Sequence, residues 1–143
     1  MTSQTTGQTT GETTGKLIVL EAFEHVHPER SAEYEAAGKI IDDTVRETEP
    51  GMLVHALTVH ARLDDRVTYR WLEIFDGLEA LEAHFASPHV KAHVAKLNDG
   101  ILLSPVELVL YTDWTDAEKA EINERLGGAL TFAEVRAGYY HAR

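Results

Sequence analysis

Two residues with acid–base side chains stand in otherwise apolar surroundings. Glu73 lies late in the run VTYRWLEIF, where a carboxylate either has a charged partner or has a raised pKa. His84 lies one helical step beyond Leu81, at the border of an apolar helix face, and histidine is the side chain best suited to move a proton at neutral pH. Both residues are therefore candidates for proton transfer in a cleft between a helix and a sheet.

Each candidate also has a purely structural interpretation. Glu73 could form an interface ion pair with Arg70 or Arg46, since buried ion pairs shift pKa values as catalytic sites do. His84 could be a packing residue whose ring bonds a backbone carbonyl. The residues alone leave these alternatives open.

Aromatic residues accompany the candidate carboxylate along its strand. Side chains alternate along a strand, so Tyr69, Trp71, Glu73 and Phe75 share one face and would form a wall suited to a flat substrate. The same stripe is typical of an ordinary core. By the same reasoning, four further residues are candidates to line the site: Phe23, His55, Phe85 and Tyr111.

Other histidines have a metal-ligand spacing without completing a site. His89 and His93 stand four apart on a helical stretch, a spacing that lets two imidazoles reach one ion. No third ligand follows from the spacing, and His25 and His27 lie at a strand end with no geometry to complete a site. We therefore expect no metal site and interpret His89 and His93 as solvated surface residues.

The predicted elements that position these residues follow from apolar periodicity and turn signals. Strands are predicted at 17–26, 52–63, 67–75 and 105–114, and helices at 28–47, 78–85 (capped by Asp76) and 88–97. The order strand, helix, strand, strand, helix, strand is typical of a ferredoxin-like α+β fold. Such a fold is a four-stranded antiparallel sheet with helices on one face.

The predicted strands are apolar on both faces, although helices can cover only one. In the first strand, one face would carry Leu17, Val19 and Phe23 and the other Ile18, Leu20, Ala22 and Val26. We expect the second face to be buried in an isologous homodimer, or else by the C-terminal extension.

The two ends of the chain differ from its middle. Residues 1–15 form a Thr/Gly-rich stretch with nothing to bury, and we expect a disordered leader there. Residues 16–114 form the predicted domain. Residues 115–143 are predicted to be a C-terminal extension. It begins with a helix that has a capping box at Thr115 and ends at Gly127-Gly128. Its remainder, with Phe132, Val135, Tyr139 and Tyr140, would pack on its own domain or on a partner subunit.

The composition excludes several classes of function. The chain has 13 basic and 24 acidic residues, a net charge of −11, and its basic residues are scattered, so we expect no nucleic-acid partner. Cysteine is absent, which excludes thiol catalysis and Cys-ligated metals. No run approaches the ~18 apolar residues of a membrane span, and no secretory segment stands at the N-terminus. We therefore expect a cytoplasmic protein that does not bind membranes.

Four short motifs occur in a fixed order between Glu49 and His89. They are Glu49-Pro50-Gly51, WLEIFD at 71–76, ALEAH at 80–84 and Ser87-Pro88-His89. In order and spacing this set resembles the antibiotic biosynthesis monooxygenase family of dimeric α/β barrels, which includes quinol monooxygenases. The resemblance covers about residues 17–114 and leaves both ends of the chain outside it.

The resemblance implies a monooxygenase that needs no cofactor and uses oxygen on a small phenol, quinol or anthrone. Glu73 or His84 would take the substrate proton, Trp71 and Phe85 would hold the ring, and His55 could stabilise the phenolate. An isomerase or polyketide-cyclase-like enzyme of the same architecture, and a non-catalytic ligand-binding dimer, remain alternatives.

A haem-degrading branch of the same family is disfavoured. His93 stands like the axial ligand of that branch. The first strand, however, lacks the Asn of that branch, and Ile74 stands where that branch has Trp.

Overall fold

A five-stranded sheet forms the centre of the computed structural model, which describes residues 17–138. The predicted leader, Tyr139 and Tyr140 lie outside the described residues. The strands, in the spatial order β2-β3-β1-β4-β5, are β1 (Ile18–Val26), β2 (Met52–Arg62), β3 (Val67–Phe75), β4 (Glu107–Tyr111) and β5 (Leu130–Phe132). The helices are α1 (Ser31–Thr48), α2 (Leu78–Ala86), α3 (Pro88–Leu97) and α4 (Asp116–Arg125).

The first four strands pair antiparallel, with β1 between β3 and β4 and with β2 on the outer side of β3. This pairing and the order of the helices confirm the ferredoxin-like α+β fold. The register places Glu73 of β3 opposite Leu20 of β1 and His55 of β2. Because directly opposed residues point to the same side of a sheet, these three side chains share one face.

All four helices pack on that face, here called the helix face. Ile18, Leu20, Leu78 and Leu81 form one buried cluster there, and Leu81 is completely buried. Truncating such a leucine to alanine typically costs about 2–5 kcal/mol. The alternation of apolar residues along β1 and β3 therefore anchors the helices and fixes which strand residues point between them.

The opposite side of the sheet, here called the open face, is half-buried. It carries alternate residues of the central strands: Val19, Glu21, Phe23, His25, Arg70, Leu72, Ile74 and Tyr111. Residues 135, 137 and 138 share a shallow depression with Val19 and Tyr111. Among the described residues, the C-terminal extension thus reaches only a corner of the open face, and the homodimer remains a prediction.

The C-terminal extension differs from the prediction in how it ends. Its helix forms, and both hydrogen bonds of the capping box between Thr115 and Glu118 are present. After Gly127-Gly128, however, the chain continues as β5, which runs parallel to β4. The sheet therefore has five strands instead of four, and the extension is not purely helical. Ile122 and Leu130 join the same core as Ile18, so this part packs on its own domain.

Two local predictions about helix starts were wrong. Residues 28–30 form a single 3₁₀ turn, and α1 begins only at Ser31. Asp76 does not cap α2, since Gly77 is the N-cap and makes no side-chain bond. Instead, the Asp76 N–H donates to the carbonyl of Gly51 at 2.9 Å. This bond ties the turn after α1 to the β3–α2 junction. None of the helices in residues 17–138 is long and apolar enough to span a membrane.

Candidate functional site

A cavity of about 490 Å³ lies between the helix face of the sheet and helices α1, α2 and α3. Most of its wall is apolar, with Trp71 and Phe85 as the aromatic members. Its titratable lining residues are Glu24, His55, Glu73, His84, Lys91 and His93. A cavity of this size with a few convergent polar groups is typical of a small-molecule site.

Glu73 enters the cavity as a buried carboxyl group. The residue is 6% exposed, and its Oε1 is buried without a hydrogen-bond partner in the described part of the chain. Burial, and then the nearby negative charges of Glu24 and Glu49, raise its pKa to about 8. At neutral pH Glu73 is therefore a carboxylic acid that can donate its proton.

The ion pairs considered for Glu73 are not formed. The Arg70 guanidinium binds Glu21 on the open face, and Arg46 binds Asp42 at 2.6 Å. Glu73 faces two histidines instead, so the interface ion-pair interpretation is wrong.

Two imidazoles approach Glu73, each through its Nε2 atom. His84 Nε2 lies 3.7 Å from Glu73 Oε1, and His55 Nε2 lies 3.8 Å from Glu73 Oε2. These distances are too long for direct hydrogen bonds. An oxygen atom of a bound molecule that lies beside one of these imidazoles and Glu73 can nevertheless contact both the imidazole nitrogen and the carboxyl group. The arrangement thus offers an acid and a base to one substrate oxygen.

Each histidine is oriented by a carboxylate on its other ring nitrogen. The Nδ1 of His84 bonds Glu49 Oε1 at 2.8 Å, and the Nδ1 of His55 bonds Asp42 Oδ1 at 2.9 Å. A carboxylate accepts only, so Nδ1 carries the hydrogen in both rings. The lone pair of each Nε2 consequently faces Glu73.

Both histidines are neutral at pH 7. Burial lowers the pKa of His84, and the bonded Glu49 carboxylate opposes this only in part. Burial likewise lowers the pKa of His55 against the opposing effect of Asp42. A neutral imidazole with a free Nε2 lone pair is a competent general base.

A tight turn holds Glu49 beneath His84. Glu49 caps the C-terminus of α1, where its N–H donates to Val45 at 2.8 Å. Gly51 follows in the turn, and a Cβ there would lie 2.7 Å from the Cβ of Ala80 on α2. Only glycine permits this close approach, so the turn and α2 are held together.

The aromatic wall and a second carboxylate border the same cavity. Trp71 stacks on His55 with ring centroids 4.3 Å apart, which fixes the plane of the imidazole. Glu24 is buried and accepts a hydrogen bond from Tyr34 at 2.5 Å, and burial raises its pKa. The cavity therefore combines several polar groups with an apolar, aromatic wall that is suited to a flat ring.

The structure brings five of the predicted site residues to one cavity: Glu73, His84, Trp71, His55 and Phe85. Tyr69 shares their face of the sheet but stacks on Tyr34 and donates to Glu35, outside the cavity lining. Phe23 and Tyr111 are corrections, because strand alternation places both on the open face.

The interpretation of His93 as a solvated surface residue was wrong, and His89 is only partly exposed and binds a carboxylate. His89 Nε2 lies 2.5 Å from Glu49 Oε2. His93 lines the cavity, where its Nε2 is buried without a partner in the described part, and burial lowers its pKa to about 4. Within residues 17–138, no group of three or more His, Cys, Asp or Glu residues is arranged to hold a metal ion.

Sequence reasoning missed Glu24, Glu49, Asp42 and the orientation of His93. The alternation of β1 could have found Glu24, which shares its parity with Leu20 and Ala22. Asp42 and Glu49 carry no such signal, since each acts through a histidine distant in sequence.

Comparisons with known proteins agree with this fold. A sequence model of the family described as "Antibiotic biosynthesis monooxygenase" matches residues 17–96. A solved structure from Caulobacter crescentus, described as a proposed antibiotic biosynthesis monooxygenase, has 24% identity and a TM-score of 0.62. It covers 76% of this chain and 98% of its own.

Two further solved structures with the same description are similar. One from Bacteroides thetaiotaomicron has 28% identity and a TM-score of 0.56, over 65% of this chain and 85% of its own. One from Nitrosomonas europaea has 18% identity and a TM-score of 0.61, over 71% of this chain and 94% of its own. None of the curated proteins matches this chain.

Proposed function

The chain belongs to the antibiotic biosynthesis monooxygenase family, and we propose that it is a cofactor-independent monooxygenase for a small aromatic phenol, quinol or anthrone. One observation carries the proposal. The protonated carboxyl of Glu73 faces the Nε2 atoms of His84 and His55 in a largely apolar cavity that Trp71 and Phe85 also line. These polar groups provide a base and an acid, and the apolar wall accepts a flat ring.

His84 is the proposed base. Its Nε2 lone pair faces the oxygen of Glu73 that has no hydrogen-bond partner among the described residues, which leaves a place for a substrate oxygen. The Glu49 carboxylate on Nδ1 stabilises the imidazolium that forms. A positioned base of this kind typically contributes about 10²–10⁴-fold in rate.

Glu73 is the proposed acid. Its O–H donates to the oxyanion that develops as the substrate loses its proton, in a site with little water. His55 was expected to donate to the phenolate, but its Nδ1–H is held by Asp42, so its Nε2 acts as an acceptor. His55 therefore orients Glu73 and does not stabilise the anion directly.

The reaction needs molecular oxygen as its second substrate. After His84 removes a proton, the electron-rich anion reduces oxygen and a carbon–oxygen bond forms, giving a hydroperoxide. Loss of water from a hydroperoxide at a CH₂ group leaves a ketone, so CH₂ plus O₂ gives C=O plus H₂O. One oxygen atom enters the product and the other leaves as water.

An isomerase of the same architecture is the second candidate. The pairing of a neutral base with a carboxylic acid favours it, because enolisation needs a proton acceptor and a donor at one oxygen. The two candidates differ in their need for oxygen. Oxygen uptake should be measured with a panel of anthrones and quinols, with wild type and His84→Gln compared in air and under nitrogen.

The monooxygenase proposal predicts stoichiometric oxygen uptake that His84→Gln lowers at least about 100-fold. Substrate conversion that continues at the same rate under nitrogen would favour the isomerase. A folded wild type that is inert towards the whole panel would contradict the monooxygenase proposal and favour a non-catalytic ligand-binding dimer.

We also propose that the protein works as a homodimer that buries the open face. Val19, Leu72 and Ile74 provide apolar area on that face. An obligate interface of this kind typically buries roughly 2,000 Å² or more in total. Light scattering at micromolar concentration tests it, and a monomeric mass would contradict it.

A further inference from the structure

The carboxylate of Glu49 is shared between two histidines. Its Oε1 holds Nδ1 of His84 at 2.8 Å, and its Oε2 lies 2.5 Å from Nε2 of His89. The side chain of His84 is 5% exposed, whereas that of His89 is 20% exposed. One carboxylate thus joins the buried base to an imidazole that water can reach.

The three residues come from three elements that are fixed relative to one another. The turn at Gly51 packs against Ala80 and bonds Asp76, which places Glu49 below α2. Ser87 caps α3 by accepting from the N–H of Val90 at 3.3 Å, so His89 stands in the first turn of that helix. Because each partner is held by its own element, the shared carboxylate does not depend on a mobile loop.

A shared carboxylate couples the charges of its two partners. Glu49 favours the protonated form of His84 through its charge and its hydrogen bond. A positive charge on His89 neutralises part of the same carboxylate and also repels a proton on His84. An imidazole exists in a neutral and a cationic form, so the charge that Glu49 meets at His89 differs between the two forms.

We propose that His89 is a positioning residue for His84. When His89 is protonated, His84 is the weaker base, and when His89 is neutral, His84 is the stronger base. His89 affects His84 through Glu49, and this effect needs no contact between His89 and the substrate. The proposal rests on the role of His84 as the base in the proposed function.

Other titratable groups also affect the pKa of His84. They lie on the sheet and on α3, and they include Asp42, which binds His55. The titratable neighbours are Glu73, His55 with Asp42, His89 and His93. Substitutions at His89 leave all of the others in place, so a change in His84 can be assigned to His89.

The direct test is an NMR titration of the His84 imidazole, which does not depend on turnover. In His89→Gln the amide still donates to Glu49 but never carries a charge, so the midpoint of His84 should move to higher pH. In His89→Arg a permanent cation remains, and the midpoint should stay at or below the wild-type value. Glu49→Gln removes the carboxylate and should lower the midpoint.

His27→Gln is the matched control, since His27 lies before the 3₁₀ turn, beside Glu29, and does not line the cavity. A His84 midpoint in His89→Gln that equals that of His27→Gln would overturn the proposal. If Glu49→Gln fails to fold, the Gln and Arg variants of His89 still decide the question.

A kinetic readout adds the link to activity. The acid limb of kcat/KM should move to higher pH in His89→Gln, and a shift of about 0.5 pH unit would lower the activity one pH unit below the wild-type midpoint roughly threefold. An unshifted His84 midpoint contradicts this inference. An absence of oxygen uptake with a shifted midpoint contradicts only the proposed monooxygenase.

Discussion

Two glutamates on the central strands point to opposite faces of the sheet and have opposite protonation behaviour. Glu21 lies on the open face, where Tyr111 donates to it at 2.6 Å and the Arg70 guanidinium binds it. Glu73 lies on the helix face, where its Oε1 is buried without a hydrogen-bond partner in the described part and the nitrogens of His84 and His55 lie 3.7 and 3.8 Å from its oxygens.

The pKa values follow from these surroundings. Burial would raise the pKa of Glu21, but the hydrogen bonds from Tyr111 and Arg70 outweigh it and lower the pKa. Burial raises the pKa of Glu73 to about 8, and the charges of Glu24 and Glu49 add to the effect. Burial raises the pKa of both carboxylates, but at Glu21 two donors reverse the effect. At Glu73 the charges of Glu24 and Glu49 add to burial, and no hydrogen bond in the described part of the chain opposes it.

The largest expected difference between the two faces is in turnover. His84→Gln should lower the rate of the proposed reaction roughly 10²–10⁴-fold, because it removes the base. Glu73→Gln should fall at the lower end of that range, since the amide still donates but has no proton to give. Steady-state oxygen uptake measures both. Glu21→Gln is the matched control on the open face, and an equal loss there would break the distinction between the faces.

The second difference is in how stability depends on pH. Glu73 keeps its proton up to about pH 8 when folded, whereas its ordinary pKa is 4.5. Between these values the folded state binds the extra proton, so the free energy of unfolding should fall as pH rises, by up to about 1.4 kcal/mol per pH unit. Urea titrations of Glu73→Gln should show a flatter profile between pH 5 and 8. An unchanged slope would show that Glu73 is ionised in the folded protein.

The open-face carboxylate should show the opposite sign. Because the pKa of Glu21 is lowered on folding, its stabilisation is present above its ordinary pKa and is lost as pH falls through the folded value. Glu21→Gln should cost about 1–2 kcal/mol at pH 7 and little at low pH. Parallel denaturation curves at pH 7 and at about pH 3 give the comparison, and a loss that is equal at both would contradict it.

The smallest predicted effect is at the aromatic wall of the site. Trp71→Phe keeps a ring beside His55 but removes the indole N–H that bonds Glu24. It should raise KM by several-fold more than it lowers kcat, as expected for a group that binds substrate and transition state alike. A fall in kcat with an unchanged KM would place Trp71 in the chemical step instead.

The parts of this picture that follow a short repeat could be predicted from the sequence. Alternation along VTYRWLEIF placed Glu73 and Trp71 on one face, and helical spacing placed His84 at the border of α2. The same alternation places Phe23 on the opposite side of the sheet from Leu20 and Ala22. The prediction of Phe23 as a lining residue therefore conflicts with the alternation of its own strand.

The remaining parts depend on contacts between distant residues. The bonds of His55 to Asp42 and of His84 to Glu49 join different elements, and no local pattern indicates which carboxylate meets which ring. Strand β5 is three residues long and owes its existence to pairing with β4, so its own composition predicts nothing. Propensity and periodicity thus indicated the acid and the base but not the groups that orient them.

The protonation state of Glu73 at neutral pH tests the central claim most directly. Difference infrared spectroscopy, with wild type compared against Glu73→Gln across a pH series, resolves the C=O stretch of a protonated carboxylic acid. The account predicts that this band is present at pH 7 and disappears with a midpoint near pH 8. A carboxylate that is already ionised at pH 6 would contradict the assignment of Glu73 as the acid of the site.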